Sequence, residues 1–179
     1  MDVKNKIILF EGFDNTGKTT IAKELSKLLR FQYFKNPAEK ERFGIPDLID
    51  KEAMIEARYL VNLLEQVFFE GLGIIFDRNI PSHFVYSKAF NRKFNLAGII
   101  EIDKKLAELG AVIIFCYKTK ILNYSDSLVD ESKSEQVNSL YYKYFSMSKM
   151  KYLFLNTDDE DLKRQINTIL SFLGLRRIK

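Results

Sequence analysis

The sequence predicts an α/β fold in which a five-stranded parallel sheet is flanked by helices to form three layers. Five short apolar runs, bounded by polar or turn residues, alternate along the chain with segments of helical periodicity. The first run passes into the glycine-rich stretch "FEGFDNTGKTT" (Phe10–Thr20), which leads into a helical segment. Strands that alternate with helices favour parallel pairing through right-handed crossovers. No repeat, low-complexity tract or linker divides the 179 residues, so we expect a single domain over residues 1–179.

The predicted strands are continuously apolar rather than alternating, which is typical of strands buried on both faces of a parallel sheet. They are Lys6–Gly12, Phe31–Asn36, Leu72–Arg78, Ala111–Tyr117 and Lys151–Thr157.

Apolar residues with helical spacing fill the segments between these strands. The predicted helices are Lys18–Arg30, Asp47–Glu70, Asn95–Leu109, Glu135–Met150 and a last helix that ends at Gly174. Before the last helix, "TDDE" (Thr157–Glu160) has the spacing of a capping box, and Gly174 stands where a helix-ending glycine belongs. We interpret the tyrosines of "LYYKYF" (Leu140–Phe145) as helix packing.

The charge and the single cysteine limit the function classes. A formal net charge of +4 is spread along the chain, and enzymes of polyanionic nucleotides also benefit from a positive field, so we expect no nucleic-acid partner. No apolar run approaches the roughly 20 residues of a membrane span, so we expect no membrane partner. Cys116 alone cannot build a disulfide framework, and we therefore expect a cytoplasmic protein.

The glycine-rich stretch has the form Gly-x-x-x-x-Gly-Lys-Thr, running from Gly12 to Thr19 between a predicted strand and a predicted helix. Its glycines let backbone N–H groups turn around phosphate groups, and the helix N-terminus adds its dipole. Lys18 can reach the β- and γ-phosphates, and the Thr19 hydroxyl can bind Mg²⁺. The stretch therefore predicts a nucleoside triphosphate site.

Three charged residues add to this site. Asp77 and Arg78 end the third predicted strand, at the edge where open α/β sheets bind ligands, and Arg can bind a phosphate with two hydrogen bonds. The alternative is a surface ion pair at a strand end. Asp14 would repel the phosphates, so we expect it to face an acceptor or a Mg²⁺-bound water. An Asx hydrogen bond that shapes the loop is the alternative.

Met54 and Arg58 lie one turn apart on the second predicted helix and share a face. That face could offer an apolar shelf and a guanidinium to a base or a phosphate. The alternative for Arg58 is an ordinary solvated side chain.

With these residues in place, the chain resembles the thymidylate kinase family, the P-loop enzymes that phosphorylate deoxythymidine monophosphate. "FEGFDNTGKTT" is similar to the first family motif, an acidic-Gly-x-Asp/Glu-x-x-Gly-Lys-Ser/Thr-Thr loop. "DRNIPSHFVY" (Asp77–Tyr86) resembles the Asp-Arg-Tyr-x-x-Ser-x-x-x-aromatic motif and matches it at Ser82 and Tyr86. "EARYLVNLLEQV" is similar to an Ala-x-Arg helix, and "FKNPAEKERF" to a Pro-containing loop after the second strand.

The resemblance implies a P-loop nucleoside-monophosphate-kinase fold with a short lid at about residues 118–135, and a homodimer. It implies transfer of the ATP γ-phosphoryl group to a deoxynucleoside monophosphate, first of all dTMP to dTDP, with Mg²⁺. ATP would be bound by Gly12, Phe13, Asp14, Asn15, Thr16, Gly17, Lys18, Thr19 and Thr20. Mg²⁺ would be held by Thr19 and Asp77. The acceptor would be bound by Asp14, Met54, Arg58, Arg78, Ser82 and Tyr86. Catalysis would fall to Asp14, Lys18, Asp77 and Arg78.

The chain departs from the family pattern in three places. Asn79 replaces the usual Tyr after Asp-Arg, and Met54 stands where an aromatic side chain commonly stacks on the base. The family's transition-state arginine has no counterpart, because the loop has Asn15 and Thr16 and no arginine occurs from Lys93 through Lys163. Such an arginine is worth orders of magnitude in rate. Three alternatives remain: a lysine of the lid, Arg92, or weak catalysis. The lid lysines are Lys118, Lys120 and Lys133.

Two rival functions are open. A deoxynucleoside kinase has a related fold, but it usually carries Asn at the Asp14 position, Glu-Arg-Ser instead of Asp-Arg, and a catalytic Glu after the second strand. Here Asp14, Asp77 and Asn36 favour the monophosphate kinase. The other rival is a nucleotide-binding module that has lost catalysis. The retention of the loop lysine together with the Asp-Arg pair favours an active enzyme.

Overall fold

A computed structural model describes residues 6–36, 72–119, 131–159 and 161–178, and the positions between 54 and 64 except 56, 60 and 63. Most of the expected lid, with Lys120, lies outside the described residues, as do most of "FKNPAEKERF" and the two ends of the predicted helix Asp47–Glu70.

The described chain contains one sheet of five parallel strands in the order β2-β3-β1-β4-β5. The strands are β1 (Ile7–Glu11), β2 (Gln32–Lys35), β3 (Ile74–Asp77), β4 (Val112–Tyr117) and β5 (Lys151–Asn156). All five predicted strands are thus present, but the expected burial on both faces is wrong for β2 and β5, whose side chains are largely exposed because they form the two edges of the sheet. β1 is central, because Ile8 pairs with Ile75 of β3 on one side and with Val112 of β4 on the other. The carboxyl ends of β1, β3 and β4 therefore meet at one edge of the sheet.

The described helices agree with most of the predictions. They are α1 (Lys18–Leu29), α2 (Ile80–Ala89), α3 (Leu96–Glu108), α4 (Glu131–Met147) and α5 (Leu162–Phe172). The positions described between 54 and 64 are also helical, as predicted for that stretch. The predicted helices do not include α2. This helix is buried around most of its circumference, so its sequence lacks the apolar stripe that marks a surface helix.

The predicted capping box at Thr157–Glu160 is wrong. Asp161 caps α5, where its side chain accepts a hydrogen bond of 3.0 Å from the Arg164 N–H. The Thr157 hydroxyl instead donates to the carbonyls of Thr16 at 2.9 Å and Tyr117 at 3.1 Å, and so ties the end of β5 to the glycine-rich loop. The predicted helix-ending role of Gly174 is confirmed by its φ of 71°.

Apolar side chains on the two faces of the sheet form two cores. One core lies between the sheet and α2, α3 and α4, and includes Leu9 and Ile113. The other lies against α1 and α5, and includes Ile8 and Ile114. The predicted three-layer arrangement is therefore confirmed. None of the helices in the described part of the chain has both the length and the apolar character that crossing a bilayer requires.

Gly12 follows β1 at the point where the backbones of β1 and β4 come closest. Its φ is 135°, and a Cβ atom there would lie 2.1 Å from the Cys116 carbonyl oxygen. Only glycine satisfies both the conformation and the close approach.

We expect Gly12→Ala to lower the free energy of unfolding by roughly 2–5 kcal/mol, because it combines a strained φ with a backbone clash. The matched control is Gly110→Ala, where φ is 74° but no atom lies within 4 Å of the added Cβ. This control should cost only about 1–2 kcal/mol, from the conformation alone. Urea unfolding of both variants measures the difference, and equal costs would contradict the steric argument.

Candidate active site

A hydrogen bond between a side chain and the backbone stabilises the turn of the glycine-rich loop. The Thr16 hydroxyl donates to the Phe13 carbonyl at 2.8 Å. Asn15 and Gly17 have φ of 61° and 79°, which turn the backbone between β1 and α1. Asn is among the few residues other than glycine that adopt this conformation readily.

Lys18 lies across the loop instead of extending into solvent. Its side chain is buried, and Nζ donates to the Phe13 carbonyl at 2.5 Å. Burial, with the nearby charge of Arg78, lowers the pKa of Lys18 to about 8, although Asp14 and Asp77 oppose the shift. The Lys18 ammonium thus lies within the loop, and it loses its proton at a lower pH than an exposed lysine does.

Asp77 and Thr19, the two expected Mg²⁺ ligands, are in direct contact. The Thr19 hydroxyl donates to Asp77 Oδ2 at 2.5 Å, and the Tyr33 hydroxyl donates to the same oxygen at 2.9 Å. A hydroxyl beside a carboxylate suits Mg²⁺, which prefers oxygen ligands and takes few of them from the protein. These residues fit a magnesium ion that receives its remaining ligands from phosphate and water. No sequence pattern pointed to Tyr33, which reaches Asp77 only because β2 and β3 are neighbours.

Arg78 lies at the turn that follows β3 and has a φ of 70°. Its guanidinium pairs with Asp14 through Nη2. Through Nη1 it donates to the Ser82 hydroxyl at 3.0 Å and to the Tyr141 hydroxyl at 3.2 Å. The Asp14 and Arg78 side chains are only 21% and 19% exposed, so this is not a surface ion pair. Asp14 therefore faces Arg78.

The Tyr86 ring covers the same guanidinium, with 5.0 Å between its centroid and Arg78 Cζ. Within the described chain, the Tyr86 hydroxyl is a buried polar atom without a hydrogen-bond partner. Burial raises the pKa of Tyr86 to about 12, so the phenol keeps its proton. Because buried polar groups are nearly always satisfied, this hydroxyl is the kind of group that a bound molecule completes.

In the structure, Met54 and Arg58 do not form a common surface for a base or a phosphate. Met54 is in the core, where its terminal methyl group packs against Gly98 of α3. Arg58 is half exposed and forms an ion pair of 3.7 Å with Glu101.

Two candidates for the missing arginine flank one aromatic ring. Arg92 Cζ lies 4.7 Å and Lys133 Nζ lies 5.1 Å from the centroid of Phe90. Phe90 in turn stacks on Tyr86 at 6.3 Å between centroids. Two aromatic rings, those of Phe90 and Tyr86, therefore connect each of these cations to Arg78.

Glu11 and Tyr141 are site residues that the sequence did not identify as functional. Glu11 follows four apolar residues of β1, and the available signals were a carboxylate at the end of a buried strand and the acidic position that opens the loop motif. Tyr141 does pack, as predicted for its stretch, but its hydroxyl also reaches Arg78 and Glu11.

Comparisons with known proteins support the fold. No protein-family model matches the sequence, and no curated protein matches it. Among solved structures, the YorR protein of Bacillus subtilis in complex with phosphorylated GDP has 19% identity and a TM-score of 0.69, with 94% of this chain and 95% of that chain covered. The thymidylate kinase of Candida albicans has 17% identity and a TM-score of 0.61, with 96% and 93% covered. The deoxyadenosine kinase of M. mycoides with bound dATP has 23% identity and a TM-score of 0.57, with 94% and 99% covered.

These similarities confirm the predicted fold class, a parallel sheet of the type found in thymidylate and deoxynucleoside kinases. They also agree with the resemblance to the thymidylate kinase family.

The left-handed turn at Arg78 predicts an inverted order of stability for two truncations. Arg78→Gly should be more stable than Arg78→Ala by about 1 kcal/mol, because both lose the same contacts and only glycine is unstrained at this φ. The control pair is Lys104→Gly and Lys104→Ala on the exposed side of α3, where Ala should be the more stable by about 1 kcal/mol. Urea denaturation measures all four variants, and a more stable Arg78→Ala would contradict the strain.

Proposed function

We propose that this protein is a nucleoside monophosphate kinase that transfers the γ-phosphoryl group of ATP to a deoxynucleoside monophosphate, with dTMP as the first candidate. The observation that carries the proposal is the guanidinium of Arg78, held beside the glycine-rich loop by Asp14, Ser82 and Tyr141. A second cationic phosphate site next to a triphosphate loop is what transfer between two phosphates requires.

The donor side consists of the loop and the end of β3. Lys18 and the loop amides would bind the triphosphate, and Thr19 and Asp77 would hold Mg²⁺. Bound there, the metal would neutralise charge on the β- and γ-phosphates. Tyr33 would orient the Asp77 carboxylate through its hydrogen bond.

The acceptor side is built around Arg78. Its described hydrogen bonds use three of its five N–H donors, which leaves two donors for the oxygens of a monophosphate. Asp14 balances part of the guanidinium charge and offers its carboxylate to a sugar hydroxyl of the acceptor. The Tyr86 hydroxyl would then donate to the acceptor, which satisfies a buried group that has no hydrogen-bond partner among the described residues.

The charge that develops on the transferred group needs a further cation. Arg92 or Lys133 would supply it; in support of this, both lie against Phe90, which stacks on Tyr86. A lysine there acts as a point charge and lacks the planar fork of an arginine.

A deoxynucleoside kinase is the second candidate, because the M. mycoides deoxyadenosine kinase has a similar fold over nearly the whole chain. The two N–H donors of Arg78 that its described hydrogen bonds leave over argue against it, since an unphosphorylated acceptor offers them no phosphate oxygen.

The choice between these functions can be made with an acceptor panel. We expect release of ADP from Mg-ATP with at least one deoxynucleoside monophosphate, and none with thymidine, deoxyadenosine or deoxycytidine. A coupled spectrophotometric assay measures it. Turnover with a nucleoside would replace the proposal by the second candidate. ATP binding without any acceptor-dependent turnover would favour a nucleotide-binding module.

Lys18→Met should reduce turnover by at least about 100-fold, because it removes a buried cation from the phosphate site.

In the wild type, the dissociation constant for ATP should also rise above pH 8, where Lys18 loses the proton whose charge binds the phosphates. Lys18→Met should lack this pH dependence. Titration calorimetry at pH 7 and pH 9.5 measures both constants.

The matched control is Lys27→Met, the same substitution at an exposed position of α1 that pairs with Glu24. It should keep the wild-type turnover and the wild-type pH dependence. Normal turnover in Lys18→Met would remove Lys18 from the donor site.

A further inference from the structure

Glu11 is a completely buried carboxylate at the end of the central strand, with an exposure of 0%. Oε1 accepts a hydrogen bond from the Asn79 N–H at 2.7 Å. Oε2 accepts from the Ser82 hydroxyl and, at 3.3 Å, from the Tyr141 hydroxyl. No step of the proposed transfer uses this carboxylate directly, yet its three donors all belong to the surroundings of Arg78.

Two of these donors are also the acceptors that hold the guanidinium. Arg78 Nη1 donates to the Ser82 oxygen at 3.0 Å and to the Tyr141 oxygen at 3.2 Å. A hydroxyl has a single hydrogen. When Ser82 gives its hydrogen to Glu11, a lone pair of its oxygen faces Arg78. Tyr141 lies within hydrogen-bond distance of both Ser82 and Glu11, so its hydrogen is also directed away from the guanidinium.

The third donor fixes the backbone of the same turn. Asn79 follows Arg78, whose φ of 70° costs about 1–2 kcal/mol in a residue other than glycine. The bond from the Asn79 N–H to Glu11 holds that strained turn, together with the bond from the Arg78 N–H to the Phe10 carbonyl at 2.9 Å.

We infer that Glu11 is a positioning residue: its carboxylate fixes the Ser82 and Tyr141 hydroxyls and the Asn79 amide, and thereby holds Arg78 toward the acceptor phosphate. The inference rests on the proposed role of Arg78 in binding a monophosphate. Glu11 itself contacts neither nucleotide in this arrangement and acts only through Arg78.

Because Glu11 can ionise, its positioning role should make the KM for the monophosphate depend on pH. Burial raises the pKa of Glu11 to about 7, although Ser82, Arg78, Asn79 and Lys18 all oppose the shift. Among the described residues, the titratable and charged groups that interact with it are Lys18, Arg78, Tyr86, Cys116, Tyr141 and Tyr144, and Asp14 pairs with Arg78 beside them. Burial raises the pKa of the tyrosines and of Cys116 in this group, so these side chains stay neutral at pH 6–8.

Protonation of Glu11 reverses the donor and acceptor roles in the hydrogen bonds around it. The carboxylic acid donates its own hydrogen to one of the hydroxyls, which then turns its hydrogen toward Arg78 and no longer accepts from it. The KM for the monophosphate should therefore be low above pH 7 and rise as the pH falls below 7. The KM for ATP should not follow this change, because the donor loop is held by separate hydrogen bonds.

Glu11→Gln tests the inference, because it keeps the size of the side chain and an oxygen for the Asn79 N–H but presents an NH₂ donor to Ser82 and Tyr141. At pH 8 we expect the KM for the monophosphate to rise about tenfold to hundredfold, the worth of a charge-assisted hydrogen bond. The KM for ATP should change less than about twofold, within the spread of surface substitutions. The rise of the monophosphate KM between pH 8 and pH 6 should shrink to the part that comes from protonation of the acceptor phosphate itself, whose second pKa is about 6.

Asp103→Asn is a closely matched control. Asp103 is also a buried carboxylate, and it also accepts from a tyrosine hydroxyl, a serine hydroxyl and a backbone N–H, those of Tyr144, Ser148 and Lys149. It joins α3 to the end of α4 and forms no described contact with Arg78. This variant should lower stability but keep the monophosphate KM and its pH dependence.

Tyr141→Phe gives an independent test should Glu11→Gln fail to fold. It removes one of the two hydroxyls, so the monophosphate KM should rise by less than in Glu11→Gln, again without a change in the ATP KM. An unchanged monophosphate KM, or equal changes in both KM values, would overturn the inference. A wild type that turns over no monophosphate at pH 8 would overturn the proposed function and the inference together.

Discussion

Arg78 places a charged guanidinium, mostly shielded from water, where the phosphate loop, β3, α2 and α4 meet. A buried charge is costly unless ion pairs and hydrogen bonds surround it. The neighbouring segments must therefore present Asp14, Ser82 and Tyr141 to it in a defined arrangement. Ser82 of α2 and Tyr141 of α4 meet this requirement, and both hydroxyls also donate to Glu11. The arrangement of the proposed acceptor side centres on this one cation.

The donor side is organised separately, which lets the two halves be tested apart. Lys18 and Thr16 close the loop on the Phe13 carbonyl, and Thr19 contacts Asp77 on the next strand. Thr157 fastens the loop to the end of β5. In the proposed function the two halves share the turn at residues 77 and 78, where Asp77 would hold the metal and Arg78 would bind the acceptor. A shift of this turn would change both substrates, whereas a change in either half alone would affect one.

Much of the fold could be predicted from the sequence, because continuously apolar strands and helices with one apolar face leave plain patterns, although the apolar runs of β2 and β5 form largely exposed edge strands. α2 left none, since a helix buried around most of its circumference has no single apolar stripe. The phosphate loop and the Asp-Arg pair were recognisable because their chemistry depends on residues close in sequence. Tyr33, Tyr141 and Glu11 were not, because each acquires its role from a partner far along the chain. Met54 shows the reverse case. It does lie one helical turn from Arg58, as its position in the sequence predicts, but its side chain points into the core, where it packs against Gly98.

The position of β1 has a consequence for the order in which the molecule folds. β1 is the first strand of the chain, yet its neighbours β3 and β4 are made much later during synthesis. The loop after it needs the Cys116 carbonyl beside Gly12 and the Thr157 hydroxyl on Thr16, so it cannot adopt its final shape until β4 and β5 have joined the sheet. Such non-local pairing is slow to form. A nucleotide that recognises the finished loop would bind only the fully assembled sheet and would shift the folding equilibrium toward it.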